Sequence, residues 1–226
     1  RSIGWDTKIW WQASSELNKD SPASTSLWTA PVLELSPSGG KTEFYQAGQA
    51  SAYGVTAPSV SGTVLYRATD EGPEKKIVAS GSPKDHKLEF LWKLDLNESG
   101  LAEGTLMINV SGGWAQLMSD GYLPSQSGLS DFLKKRVNFA IPGMVLDPIS
   151  VEPTKTGYRL EFSVKCMPGI VLGGNLLLRL PGGVPSRVGE MIGKEQSYTL
   201  RFPFLIDQKV RMNMPPGYKM VQAPPL

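Results

Sequence analysis

The chain has 226 residues, 40% of them hydrophobic, with a formal charge of +2 and a single cysteine and histidine. One cysteine excludes an internal disulfide, and with one histidine it excludes a four-ligand zinc site of those residues. The near-neutral charge asks for neither nucleic acid nor an anionic membrane surface. Glycine at 24 and proline at 18 mark a turn-rich chain that stays below the disordered range.

From the N-terminal end, Ile9-Trp10-Trp11 and Pro31 to Leu35 read as short strands on either side of a polar loop, Glu16 to Ser26. The turn Ser36 to Lys41 brings Thr42 to Gln46 back as a hairpin partner. Small residues, glycine and proline dominate Gln46 to Gly62, which reads as a connector with a domain boundary at residue 57. Thr63 to Thr69 is the next strand. From His86 to Leu96, apolar Leu88, Phe90, Trp92, Leu94 and Leu96 alternate with Lys87, Glu89, Lys93 and Asp95, the pattern of a half-buried antiparallel strand. Asn97 to Gly100 supplies a turn, and Leu101 to Val110 returns with Ala102, Leu106, Ile108 and Val110 on one face.

Trp114 to Met118 carries a short helical turn, and Leu129, Phe132, Leu133 and Val137 place an amphipathic helix over 128–138, with Ser127 or Ser130 as its cap. A subdivision near residue 145 sets the last third of the chain apart. There Tyr158, Leu160, Phe162, Val164 and Cys166 share a strand face. Two short apolar strands flank Gly173-Gly174; Tyr198 to Phe204 alternates again, then Ile206, Val210, Met212 and Met214, before a Pro215-Pro216-Gly217 turn. The predicted fold class is α+β, mainly β: an antiparallel, β-sandwich-like region with one or two short helices. No run of about 18 apolar residues predicts a membrane span, and no leader-like stretch opens the sequence.

Few residues offer chemistry. Gly40-Lys41-Thr42 ends like a phosphate-binding loop, but Leu35 stands where its first glycine is required. Asp95, Asn97, Ser99 and Gly100 match the first half of a calcium loop, but its closing glutamate is replaced by Leu106. Cys166 follows the apolar parity of its strand, and His86 stands at a strand entrance beside Asp85 and Lys87; nothing local joins them as nucleophile and base. No G-x-S-x-G elbow offers a serine. Lys134-Lys135-Arg136 reads as a solvated helix end rather than a nucleic-acid patch. The six tryptophans raise a carbohydrate-stacking surface, which calls for two or more coplanar exposed tryptophans and is opposed by burial of Trp10, Trp28 and Trp114; Trp10 and Trp11, being adjacent, face opposite ways.

Several stretches together resemble bacterial multidomain transglutaminase-like proteins of the papain-like cysteine peptidase superfamily. Arg1-Ser2-Ile3-Gly4-Trp5-Asp6 is similar to the stretch after that family's nucleophile helix. Gly40 to Gln46, Tyr53 to Pro58 and Ser61-Gly62 resemble the segment around the last strand of its core, and Leu94 to Ala115 the hairpin after it. Pro215-Pro216-Gly217-Tyr218-Lys219-Met220-Val221-Gln222-Ala223-Pro224 resembles its closing segment. The resemblance implies a layout of 1–57 as the C-terminal part of an α/β core and 58–226 as a β-rich domain. It also implies a cysteine upstream of Arg1, a histidine near Thr29 or Ala30, and an orienting aspartate near Gln46. Neither the base nor the aspartate is present at those positions, so the expectation is a degenerate, non-catalytic member. It is expected to act as a structural or interaction module with an unidentified protein or cell-envelope partner. No catalytic, cofactor-binding or metal residues and no cofactor are expected. Family habit places such proteins in the periplasm or at the cell surface. Two alternatives stand: the C-terminal half of an active cysteine peptidase or transglutaminase, which needs His86 to approach the Trp28–Gln46 hairpin, and a carbohydrate- or cell-wall-binding β-sandwich.

Overall fold

A computed structural model describes residues 5–13, 28–38, 40–47, 56–57, 59–115, 128–186, 188 and 203–219. The expectations for Arg1–Gly4, Glu16–Ser26, Tyr53–Val55, 116–127, Tyr198–Phe202 and Val221–Pro224 lie outside these residues. Most of the described chain is β-strand in antiparallel sheets, with short helical elements.

The first sheet contains β1 (Trp5–Ala13), β2 (Trp28–Pro37), β3 (Glu43–Gln46), β4 (Val64–Thr69) and β5 (Gly72–Ile77), in the order β3-β2-β1-β4-β5. Trp10 pairs with Val32, and Trp11 pairs with Tyr66 of β4. The boundary expected at residue 57 therefore falls inside this sheet: β4 and β5 hydrogen-bond onto β1 and complete the unit at Ile77. Its inner face buries Trp10, Val32, Phe44 and Leu65 with Ala57, Val60 and Val78.

The second sheet contains β6 (Lys87–Leu96), β7 (Ala102–Ser111), β9 (Val145–Thr154), β10 (Gly157–Cys166) and β14 (Leu205–Asn213), in the order β14-β6-β7-β10-β9. Because successive side chains point to opposite faces, the apolar rows of β6, β7 and β10 merge into one surface. Phe90, Trp92, Leu106, Ile108, Leu160 and Phe162 are almost wholly buried there. The helix α1 (Leu129–Arg136) covers that surface with Leu129 and Leu133; Val137, Ile141 and Met144 join them. Lys134, Lys135 and Arg136 end the helix where its dipole favours cations, and Arg136 lies over Phe132.

Four strands escape sequence reading, the charged β5 among them. β9 carries Pro148 and Pro153, and it is an edge strand, where a missing amide donor is tolerated. The short β8 (Val137–Phe139) pairs with β13 (Gly183–Pro185). β14 runs parallel to β6, the only parallel pairing among the described strands. Its Gln208 side chain accepts from the Gly183 amide and donates to the Gly183 carbonyl, both at 2.9 Å, tying β13 to that edge. β11 (Gly169–Leu172) and β12 (Asn175–Leu178) form the expected hairpin, with Gly173 and Gly174 both at positive φ.

Close backbone approach fixes one glycine. A Cβ on Gly104, in β7, would lie 2.0 Å from the Lys93 carbonyl oxygen and 2.9 Å from Leu94 Cα. Gly104→Ala is therefore expected to cost about 3 kcal/mol or more, at the upper end of overpacking penalties. Gly143→Ala, where φ is +70° and nothing lies within 4 Å, is expected to cost only about 1 kcal/mol. Urea denaturation midpoints check the difference, and equal midpoints would contradict the packing described.

Candidate functional site

Two places gather chemistry-bearing side chains. The first is the seam between the sheets. Residues 78–86 lead from β5 to β6, and a short 3-10 turn, Pro83–Asp85, closes that linker. Ser82 caps the turn: its Oγ accepts from the Lys84 amide, while Asp85 Oδ2 accepts from the Ser82 amide. His86 comes next and is 1% exposed. Its Nδ1 accepts from the Gly113 amide at 2.9 Å, and its carbonyl accepts from the Leu205 amide. A neutral imidazole carries one acceptor nitrogen, so this bond assigns the proton to Nε2. Burial lowers the His86 pKa from its ordinary 6.5; Asp85 opposes that shift and Lys41 reinforces it.

A cavity of about 100 Å³ lies here, lined by Lys41, Thr42, Phe44, Ser80, Asp85 and His86, among others. His86 thus does approach the β2–β3 hairpin, the condition set by the active-enzyme alternative. The hairpin also brings the two family positions together. Gln46 pairs with Val32, two residues from Ala30, and Thr29 donates its hydroxyl to the Gln12 carbonyl. A hydroxyl or methyl and an amide stand where the resemblance calls for an imidazole and a carboxylate.

Cys166 lies at the far end of the second sheet. It pairs with Ala102, whereas Leu88, two residues after His86, pairs with Val110. Eight strand steps separate Ala102 from Val110, about 26 Å at 3.3 Å per residue. Burial pushes the Cys166 thiol pKa up, the direction of an inert thiol.

The second place is Glu34, a buried carboxylate absent from the sequence expectations. It accepts from Trp10 Nε1 at 2.5 Å and pairs with Lys76 Nζ at 2.6 Å. Lys76 and Arg67 each lie 5.3 Å from the Trp10 ring centroid. The signal was available in the parity of β2, where Glu34 shares the inward face with Val32; only the pairing with β1 brings it under Trp10.

The remaining candidates resolve into structure. Gly40-Lys41-Thr42 is the turn between β2 and β3, with no helix to receive a phosphate. Asn97 Oδ1 accepts from Ser99 N, Ser99 Oγ and Leu101 N, and Gly100 sits at φ +87°, so this stretch is a side-chain-capped turn. Among the described residues no group of three His, Cys, Asp or Glu side chains could hold a metal ion, and no helix is long and apolar enough to cross a membrane. Trp10 and Trp114 are buried, Trp11 is 42% exposed, and the Trp28 side chain lies outside the described residues.

The outer face of the second sheet carries a charge network. Glu89 accepts from Lys209 at 2.7 Å, Asn109 at 2.9 Å and Lys87 at 3.0 Å. The Lys209 hydrogen bond is the largest of the effects that bring the Glu89 pKa down to about 2. Comparison with protein-family models, curated proteins and solved structures found no match.

Both charge clusters can be tested by substitution. Lys76→Met leaves Glu34 buried without its cation and is expected to cost about 1–3 kcal/mol, reduced from the fully buried case because Lys76 is partly exposed. Adding Glu34→Gln, which keeps an oxygen for Trp10 Nε1–H, is expected to restore most of that loss in urea denaturation. For Glu89, the depressed pKa contributes stability that is present above pH 4.5 and is lost as pH falls through about 2. Lys209→Ala is expected to raise the Glu89 carboxyl titration followed by NMR toward 4.5 and to narrow the acid range over which the fold holds.

Proposed function

We propose that this chain is a non-catalytic, β-rich structural or interaction module of a transglutaminase-like protein, working in the periplasm or at the cell surface against a protein or cell-envelope partner. The observation that carries the non-catalytic part is the state of the sole histidine. The one lone pair of its neutral ring is held by the Gly113 amide. A general base needs that lone pair directed at a nucleophile's proton. The sole cysteine supports the same reading, because it is buried at the opposite end of the sheet, about 26 Å along it from Val110, the partner of Leu88.

A second reading keeps one specific observation in its favour. His86 shares a cavity with Lys41, Thr42 and Phe44 of the β2–β3 hairpin, as an active enzyme with an upstream cysteine would require. The sugar-binding reading calls for two or more coplanar exposed tryptophans, whereas Trp10, Trp92 and Trp114 are buried and Trp11 is 42% exposed.

The test is an assay of the longest expressible chain with a fluorescent casein substrate and with an amine-incorporation substrate. The expected outcome is no turnover above buffer, unchanged by His86→Asn. Turnover abolished by His86→Asn, or by loss of a cysteine upstream of Arg1, would overturn the non-catalytic reading in favour of the enzyme.

A further inference from the structure

The seam holds a buried histidine that the proposed module role leaves unused. Each sheet has its own apolar cluster, and the two clusters share no residue. The linker 78–86 joins them, and His86 is its best-buried polar side chain. Two positions beside the ring have space only for glycine. A Cβ on Gly112 would lie 2.6 Å from Nδ1, and one on Gly81 would lie 2.8 Å from Nε2. The backbone thus holds the ring through Nδ1, and the absence of a side chain at Gly81 leaves room beside Nε2, with Thr42 and Phe44 of the β2–β3 hairpin lining the same cavity.

This arrangement suits only the neutral ring. An imidazolium carries N–H on both nitrogens. Its Nδ1–H would face the Gly113 N–H, replacing an attraction with donor-to-donor repulsion inside a buried site. A new partner stands within the same cavity: the Asp85 carboxylate, whose Oδ2 otherwise accepts from the Ser82 amide in the capping box. The cavity of about 100 Å³ adjoins both the ring and Asp85.

We propose that His86 is an acid-operated latch between the two sheets: on gaining a proton from solvent it leaves the Gly113 amide, turns toward Asp85, opens the Ser82 cap and loosens the Lys41–Phe44 hairpin from the linker. Among the described residues, the charged groups that act on it are Asp85, on its own linker, and Lys41, from the hairpin packed opposite. Asp85 favours the protonated state and Lys41 opposes it. The Gly112–Gly113 segment packed on the other side contributes no charge, and the neighbouring Lys87 is engaged with Glu89 and Asp207. The sign is that of a buried base: the closed state is fully populated above the ordinary histidine pKa and is lost as pH falls below it.

The test uses the full chain, with two observables between about pH 7.5 and pH 5. The first is the Gly113 amide proton shift, which reports the ring bond. The second is a spin-label distance between Thr69 and Lys165, one exposed site on each sheet, in a Cys166→Ala background. In the wild type the Gly113 shift is expected to move and the distance distribution to broaden together on acidification, while far-UV circular dichroism holds. His86→Asn, whose amide oxygen can accept from Gly113 but does not titrate, is expected to stay flat in both. Asp85→Asn is expected to move the transition to lower pH and Lys41→Met to higher pH. The latch is overturned if both observables stay flat in the wild type, if His86→Asn responds as the wild type does, or if acidification unfolds the whole chain over the same range.

Discussion

Antiparallel pairing of strands with a side-chain period of two is the constraint on which the rest of this molecule depends. In β6, β7 and β10 each strand puts its large apolar residues on alternate positions, and the register aligns those positions across three strands. Leu88 meets Val110, Phe90 meets Ile108, Trp92 meets Leu106, and Ile108 and Leu106 in turn meet Leu160 and Phe162. A slip of one residue would carry every one of these side chains to the charged outer face. Burial of that row requires a cover, and α1, β8 and β13 supply it. The opposite row is charged by the same arithmetic, so Glu89, Lys209, Asn109 and Lys87 form a network on the face the apolar row leaves to solvent.

Two buried ionisable groups, Glu34 and His86, are tied rather than exposed to chemistry. Glu34 sits under Trp10 with Lys76 as its counter-ion, and His86 is held by a backbone amide. Both are satisfied by partners that arrive from other strands or from the sheet beyond the linker. This is the usual condition for burying a polar group, and it explains why titratable side chains in a cavity need not signal catalysis. Where the two cores meet, that satisfaction depends on a protonation state, and the seam inherits its sensitivity from a single ring.

The resemblance to transglutaminase-like proteins and the geometry bear on different things. The resemblance concerns a mostly glycine, proline and apolar scaffold. The geometry concerns what stands at a few positions on it. β2 and β3 bring Ala30 and Gln46 to the same end of one hairpin, and those side chains provide neither a base nor an anion. The reading of a module without catalytic function rests on that chemistry and on the commitment of His86, whatever the origin of the scaffold.

The sequence by itself determined the strands whose alternation is strict, the helix over Leu129–Arg136, the glycine turns, and the burial of Cys166 and Trp92, because period and parity are local properties of the chain. It did not reveal β9, whose prolines disguise an edge strand, or β5, whose Gly72–Ile77 run is largely charged and lacks an apolar row. The extent of the first sheet, the parallel docking of β14 on β6, the burial of Glu34 beneath Trp10 and the meeting of His86 with Gly113 were decided by tertiary structure alone. Each joins residues far apart in the chain through backbone or side-chain hydrogen bonds, and no local pattern encodes which distant partner a strand edge or a buried polar atom will find.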